Sequence, residues 1–95
     1  MGPDQIQSLV HEDQSLQVGS EVTAYWTAAG FTYHARARVA ALTRKRVSVV
    51  LLENAGRHGE YPLGRTIELP RIADSSDWSS ESCVRMWREP ARIYG

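Results

Sequence analysis

From Phe31 onward the chain alternates with period two. Phe31, Tyr33, Ala35, Ala37, Val39 and Ala41 occupy the odd positions, and Thr32, His34, Arg36 and Arg38 the even ones. A helix would wind these two sets together, whereas an extended ribbon gives each its own face. The pattern predicts a strand over 31–42, with its odd residues turned to a core and its charged residues turned to water, as in antiparallel sheets wetted on one side. Ala35 to Leu42 also has acceptable helix propensity. The unbroken alternation and the aromatic start favour the strand.

The flanking segments extend this reading. Gly19 and Ser20 open the main unit, and Glu21 to Trp26 alternates with Val22, Ala24 and Trp26 on one face. The small residues Thr27 to Gly30 form a turn into the long strand, and Thr43 to Lys45 form a polar turn out of it. Arg46 to Glu53 is a β-branched run that completes a hairpin. Its far end is apolar on both faces, which predicts a strand bent across the core. Residues 54–64 are rich in glycine, with Asn54 and Pro62, and read as loop. Arg65 to Leu69 is a fourth strand, stopped by Pro70. Ala73 to Ser82 is an acidic, serine-rich connection around Trp78, and Cys83 to Arg88 is a closing fifth strand. Five short strands in a meander bury little unless the sheet curls on itself. The expected fold is therefore mostly β, a small five-stranded antiparallel barrel over 18–95. Residues 1–17 form either a frayed tail or a short helix capped by Asp4, with Ile6, Leu9 and Val10 on one face and Glu12–Asp13 in the stretch that ends it.

A chain of 95 residues fits one domain. Hydrophobic residues at 42% and charged residues at 23% indicate a folded chain rather than a disordered one. Eleven Lys and Arg balance eleven Asp and Glu, so no global charge draws the protein to nucleic acid or an anionic membrane. The distribution is uneven. Residues 1–30 carry Asp4, Glu12, Asp13 and Glu21 without a Lys or Arg, while 31–72 are rich in basic residues. Cys83 is the lone cysteine, which removes intrachain disulfides and cysteine-rich zinc sites and fits a reducing, cytoplasmic setting. No signal-like or membrane-spanning segment is legible. His11, His34 and His58 lack metal-ligand spacing, and neither Ser48 nor Cys83 has a legible base beside it. No metal, cofactor or catalytic residue is expected, and the chain reads as a non-enzyme.

Val18-Gly-Ser-Glu-Val-Thr-Ala-Tyr-Trp, together with Phe31-Thr-Tyr-His-Ala-Arg-Ala-Arg-Val, resembles the opening hairpin of Tudor-type and related SH3-like domains. Lys45-Arg46-Val47-Ser-Val-Val and Thr66-Ile-Glu-Leu-Pro-Arg-Ile look like their third and fourth strands, so the likeness spans about residues 18–72. It implies an SH3-like barrel. In Tudor domains an aromatic cage holds a methylated amine by cation–π attraction. Trp26 and Tyr33 match the cage pair by position, with Phe31 beside them. The family's aromatic-glycine-asparagine segment after the third strand is replaced here by Leu52-Glu53-Asn54. Tyr25 and Tyr61 widen the aromatic set, for which core filling competes with a stacking platform. Arg36, Arg38, Arg44, Lys45 and Arg46 would form a basic strand face and turn, suited to phosphate contact or simply solvated. The expected function is a small non-catalytic module that engages nucleic acid or a protein segment through Trp26, Phe31, Tyr33 and these basic residues. The alternative is a structural accessory protein whose exposed strand edge builds a homo-oligomer.

Overall fold

The computed structural model describes residues 3–72 and 78–87. A helix, α1 (Pro3–Gln14), precedes strands β1 (Glu21–Ala28), β2 (Phe31–Leu42), β3 (Arg46–Leu51), β4 (Thr66–Pro70) and β5 (Cys83–Met86). All pairings are antiparallel, in the order β4-β3-β2-β1-β5. The first four strands form a meander, and the fifth returns to lie beside the first. The result is a mostly β, curled half-barrel compatible with an SH3-like arrangement. Among the described residues, no helix is long and apolar enough to cross a membrane.

The long β2 curls the sheet because it serves both halves. Phe31 to Arg38 pair with β1, and Ala37 to Leu42 pair with β3. Its inward residues at the centre are Ala35, Ala37 and Val39, all buried. The two alanines let Val22, Ala24, Val49 and Leu51 approach across the concave face and close the core with Val47, Leu69 and Val84. Residues 31–42 thus form one strand along their whole length, and the helical alternative for 35–42 is not adopted.

Alternation fails at both ends of β2, for different reasons. Val39 pairs with Val49 but Ala41 pairs with Ser48, so Ala40 is an extra residue at a β-bulge. The bulge reverses the facing of the two residues beyond it: Ala41, expected inward, is exposed, and Leu42 packs on the core. At the other end Phe31, also expected inward, is 66% exposed. It pairs with Ala28 at the hairpin tip, beyond the reach of the opposite layer. The turn there is tighter than expected, because β1 runs on through Thr27 and Ala28. Only Ala29 and Gly30 remain, with φ of 52° and 82°, the positive pair of a type I′ hairpin turn. Other boundaries move by one or two residues: β3 ends at Leu51, β4 spans Thr66 to Pro70, and β5 ends at Met86. Of the expected serine-rich connection, residues 73–77 lie outside the described residues, as does Arg88.

The acidic pair does not break the helix but lies within it and fastens it. Asp13 is 7% exposed. Arg71, just past β4, donates to its carboxylate at 3.3 and 3.4 Å and to its carbonyl at 3.0 Å. The same guanidinium reaches the Thr43 carbonyl at 2.8 Å. Glu12 accepts two parallel bonds of 3.0 Å from Arg85 of β5, and the Met86 N–H also donates to it. Helix α1 therefore ties β5 to the residue that follows β4, at the two ends of the pairing order. Leu16, just beyond the helix, enters the core.

Candidate functional site

At the hairpin end of the half-barrel three rings meet. Trp26 of β1 and Tyr33 of β2 are cross-strand partners. Their rings stack at 5.6 Å with 13° between planes. Tyr61, from the loop joining β3 to β4, meets Trp26 edge-on at 5.0 Å and Tyr33 at 4.8 Å. Trp26 is buried, Tyr33 and Tyr61 are half-buried, and Phe31 lies outside the cluster in solvent. Core and platform are thus divided among the aromatic residues: Trp26 fills the interior, Tyr33 and Tyr61 form its rim, and Phe31 projects beyond it.

The loop is held against this rim. Ala55 and Tyr61 form an isolated bridge, and Asn54 Oδ1 accepts from the Leu63 N–H at 2.8 Å. Arg65 donates to the Glu60 carbonyl at 2.7 Å and lies over the Tyr61 ring at 4.6 Å. The Glu60 carboxylate accepts from the His58 N–H at 2.6 Å and the Tyr33 hydroxyl at 3.2 Å. Backbone N–H groups, its own and that of His58, hold the Glu60 carboxyl below the ordinary glutamate value; burial opposes them, and the Tyr33 hydroxyl adds a smaller lowering. Tyr33 is pushed upward by desolvation first, then by the bond to Glu60 and its charge. Gly56 must remain glycine, since its φ is +91° and a Cβ would come within 2.8 Å of the Glu60 side chain.

Between the hairpin tip and this loop lies a groove of about 700 Å³. Phe31, Tyr33 and His34 line one side, and Arg57, His58 and Glu60 the other. It has aromatic surface, hydrogen-bonding groups and charges of both signs, which is what a binding groove needs. Among the described residues no group of three or more His, Cys, Asp or Glu is placed to hold a metal ion. Cys83 is buried, and desolvation pushes its thiol upward, with Arg85 opposing and Glu12 reinforcing that shift.

The basic residues named from the sequence do not join this groove. Arg44 and Lys45 lie in the β2–β3 turn and Arg46 begins β3. Nine residues of β2 separate that end from Tyr33, roughly 30 Å of extended strand. Arg36 and Arg38 lie between, on the outer face, and both reach Glu21, at 3.0 and 3.7 Å. The Arg36 guanidinium also lies 4.5 Å from the centre of the Trp87 ring. Arg46 pairs with Glu68 at 3.1 Å. The face is a row of cations interleaved with carboxylates.

Glu60, Arg57 and His58 are groove residues without a legible signal in the sequence. No periodicity marks a loop, and only the fold brings it against Tyr33. Comparison of the chain with protein-family models, curated proteins and solved structures returns no match.

Proposed function

We propose that this chain is a non-catalytic binding module of the SH3-like, Tudor-like type, and that it holds a protein segment in the groove between the β1–β2 turn and the 54–64 loop. The observation that carries the reading is Phe31, a large ring 66% exposed at the lip of a preformed groove. Burying such a ring against a partner is worth about 1.5–3 kcal/mol, and the loop wall is already ordered by its bonds to Tyr33 and Arg65. Little ordering cost therefore opposes binding.

Nucleic acid is the weaker candidate. A phosphate approaching Arg36, Arg38 or Arg46 competes with Glu21, which Arg36 and Arg38 share, and with Glu68 beside Arg46. The aromatic rim is too distant from Arg44 and Lys45 for one strand to use both at short length.

A peptide array probed with the labelled protein tests the proposal. Phe31→Ala is expected to weaken captured peptides by about ten-fold or more while changing stability by less than about 0.5 kcal/mol. The proposal fails if peptides bind equally well to Phe31→Ala. It fails in favour of nucleic acid if short single-stranded RNA binds with steep salt dependence and Arg36→Ala with Arg38→Ala abolishes that binding. Absence of both, with a stable oligomer in light scattering, leaves the structural accessory role.

A further inference from the structure

The groove beside Phe31 lies where β2 loses its second neighbour. Strand β3 stays paired with β2 as far as Ala37 opposite Leu51. Two more bonds prolong the contact. The Leu52 N–H donates to the Arg36 carbonyl at 2.9 Å, and the Glu53 carboxylate accepts from the Arg36 N–H at 2.9 Å. The chain then leaves for the 54–64 loop, so residues 31–34 keep only β1 as a neighbouring strand.

Those bonds fix which main-chain groups are left over. Arg36 turns its N–H and carbonyl to the β3 side, and antiparallel alternation repeats that facing at His34 and Thr32. Phe31, Tyr33 and Ala35 turn theirs to β1. Thr32 and His34, both exposed, thus present two N–H groups and two carbonyls to the groove they line, with no hydrogen-bond partner among the described residues. Of the charged groove residues, Glu60 is engaged by the His58 N–H and the Tyr33 hydroxyl. Arg57 is exposed and makes no ion pair or ring contact among the described residues.

We infer that the groove takes a short, extended, apolar segment bearing one carboxylate, added as a strand to β2 at Thr32 and His34, where β3 has turned away. The inference rests on the reading of this groove as a peptide site and specifies how the peptide is held. An extended backbone supplies the acceptors and donors that Thr32 and His34 lack. Its apolar side chains cover Phe31, and its carboxylate meets the Arg57 guanidinium. The edge suits a short segment rather than a second copy of the chain. Residues 31–34 span only about 13 Å of extended strand, far short of what an interface of roughly 1,200 Å² needs.

The test uses the isotope-labelled full chain and a blocked synthetic hexapeptide of valine and leucine with one aspartate. Saturable amide shifts are expected at Thr32 and His34, whose exchange should slow by about ten-fold or more in the complex. The amides of Tyr33 and Ala35, already bonded to β1, should change far less. The same peptide N-methylated at its central residues should bind roughly five- to ten-fold more weakly. Thr32→Pro removes an outward N–H without touching the β1–β2 ladder and should weaken binding similarly. Arg57→Ala should remove the preference for aspartate over lysine in the peptide. If the N-methylated peptide binds as tightly while Phe31→Ala still weakens binding, the strand addition is overturned and the peptide groove stands. If no peptide shifts residues 30–34, both fall. The strand addition is equally overturned if the Thr32 and His34 amides are already protected in a dimer of the free chain, since the occupant is then a second copy.

Discussion

Asp13 places a carboxylate where its side chain is 8% exposed, and the Arg71 side chain that meets it is 16% exposed. At that depth the pair is tolerable only because both members are present and their remaining polar groups are bonded. Arg71→Met would leave the Asp13 charge uncompensated and strip donors from the carbonyls of Asp13 and Thr43. The expected loss is about 3–5 kcal/mol, read as a lower midpoint in urea unfolding. Arg36→Ala is the contrasting case. Its partner Glu21 sits with it in solvent, with side chains 44% and 37% exposed, and exposed pairs contribute roughly 0–1 kcal/mol. In the sequence the order of importance is reversed, because Arg36 falls in a clear pattern and Arg71 in none. Burial, which decides the energetics, is not a property of the residue type.

At the scale of elements, the β1–β2 turn and the 54–64 loop carry the candidate groove. Ala29 holds a φ of 52°, which is unfavourable for a residue with a Cβ by about 1–2 kcal/mol. Asparagine tolerates that region and is preferred in type I′ turns. Ala29→Asn is therefore expected to stabilise the protein by about 0.5–1 kcal/mol, raising the urea midpoint with an unchanged slope. The loop should respond to pH through Glu60. Its carboxyl lies below the ordinary glutamate value of 4.5 in the folded state, so its contribution is present above that value and is lost as pH falls through the folded one. The His58 amide resonance, whose acceptor is this carboxylate, should titrate at a pH below 4.5, and Glu60→Gln should abolish that titration.

Among the described residues the sheet ends in β4 on one side and β5 on the other, and α1 fastens both. Glu12 grips β5 through Arg85 and Met86, and Asp13 grips the end of β4 through Arg71. Glu12→Ala should speed amide exchange in β5 before the rest of the sheet and lower the melting temperature by on the order of 10 °C, given charged hydrogen bonds of about 1.5–3 kcal/mol. The five strands and the inward residues Val22, Ala24, Trp26, Ala35, Ala37 and Val39 were legible from period two, since alternation is a local property of an extended backbone. Three features were not. The Ala40 bulge moved Leu42 inward and Ala41 outward, the hairpin tip left Phe31 beyond the opposite layer, and the curl of the sheet brought Tyr61 to Trp26 and Tyr33. The sequence by itself determined which segments extend and which of their faces is apolar. The tertiary structure alone decided which aromatic rings stay wet and which carboxylates are buried, because each depends on contacts between residues far apart along the chain.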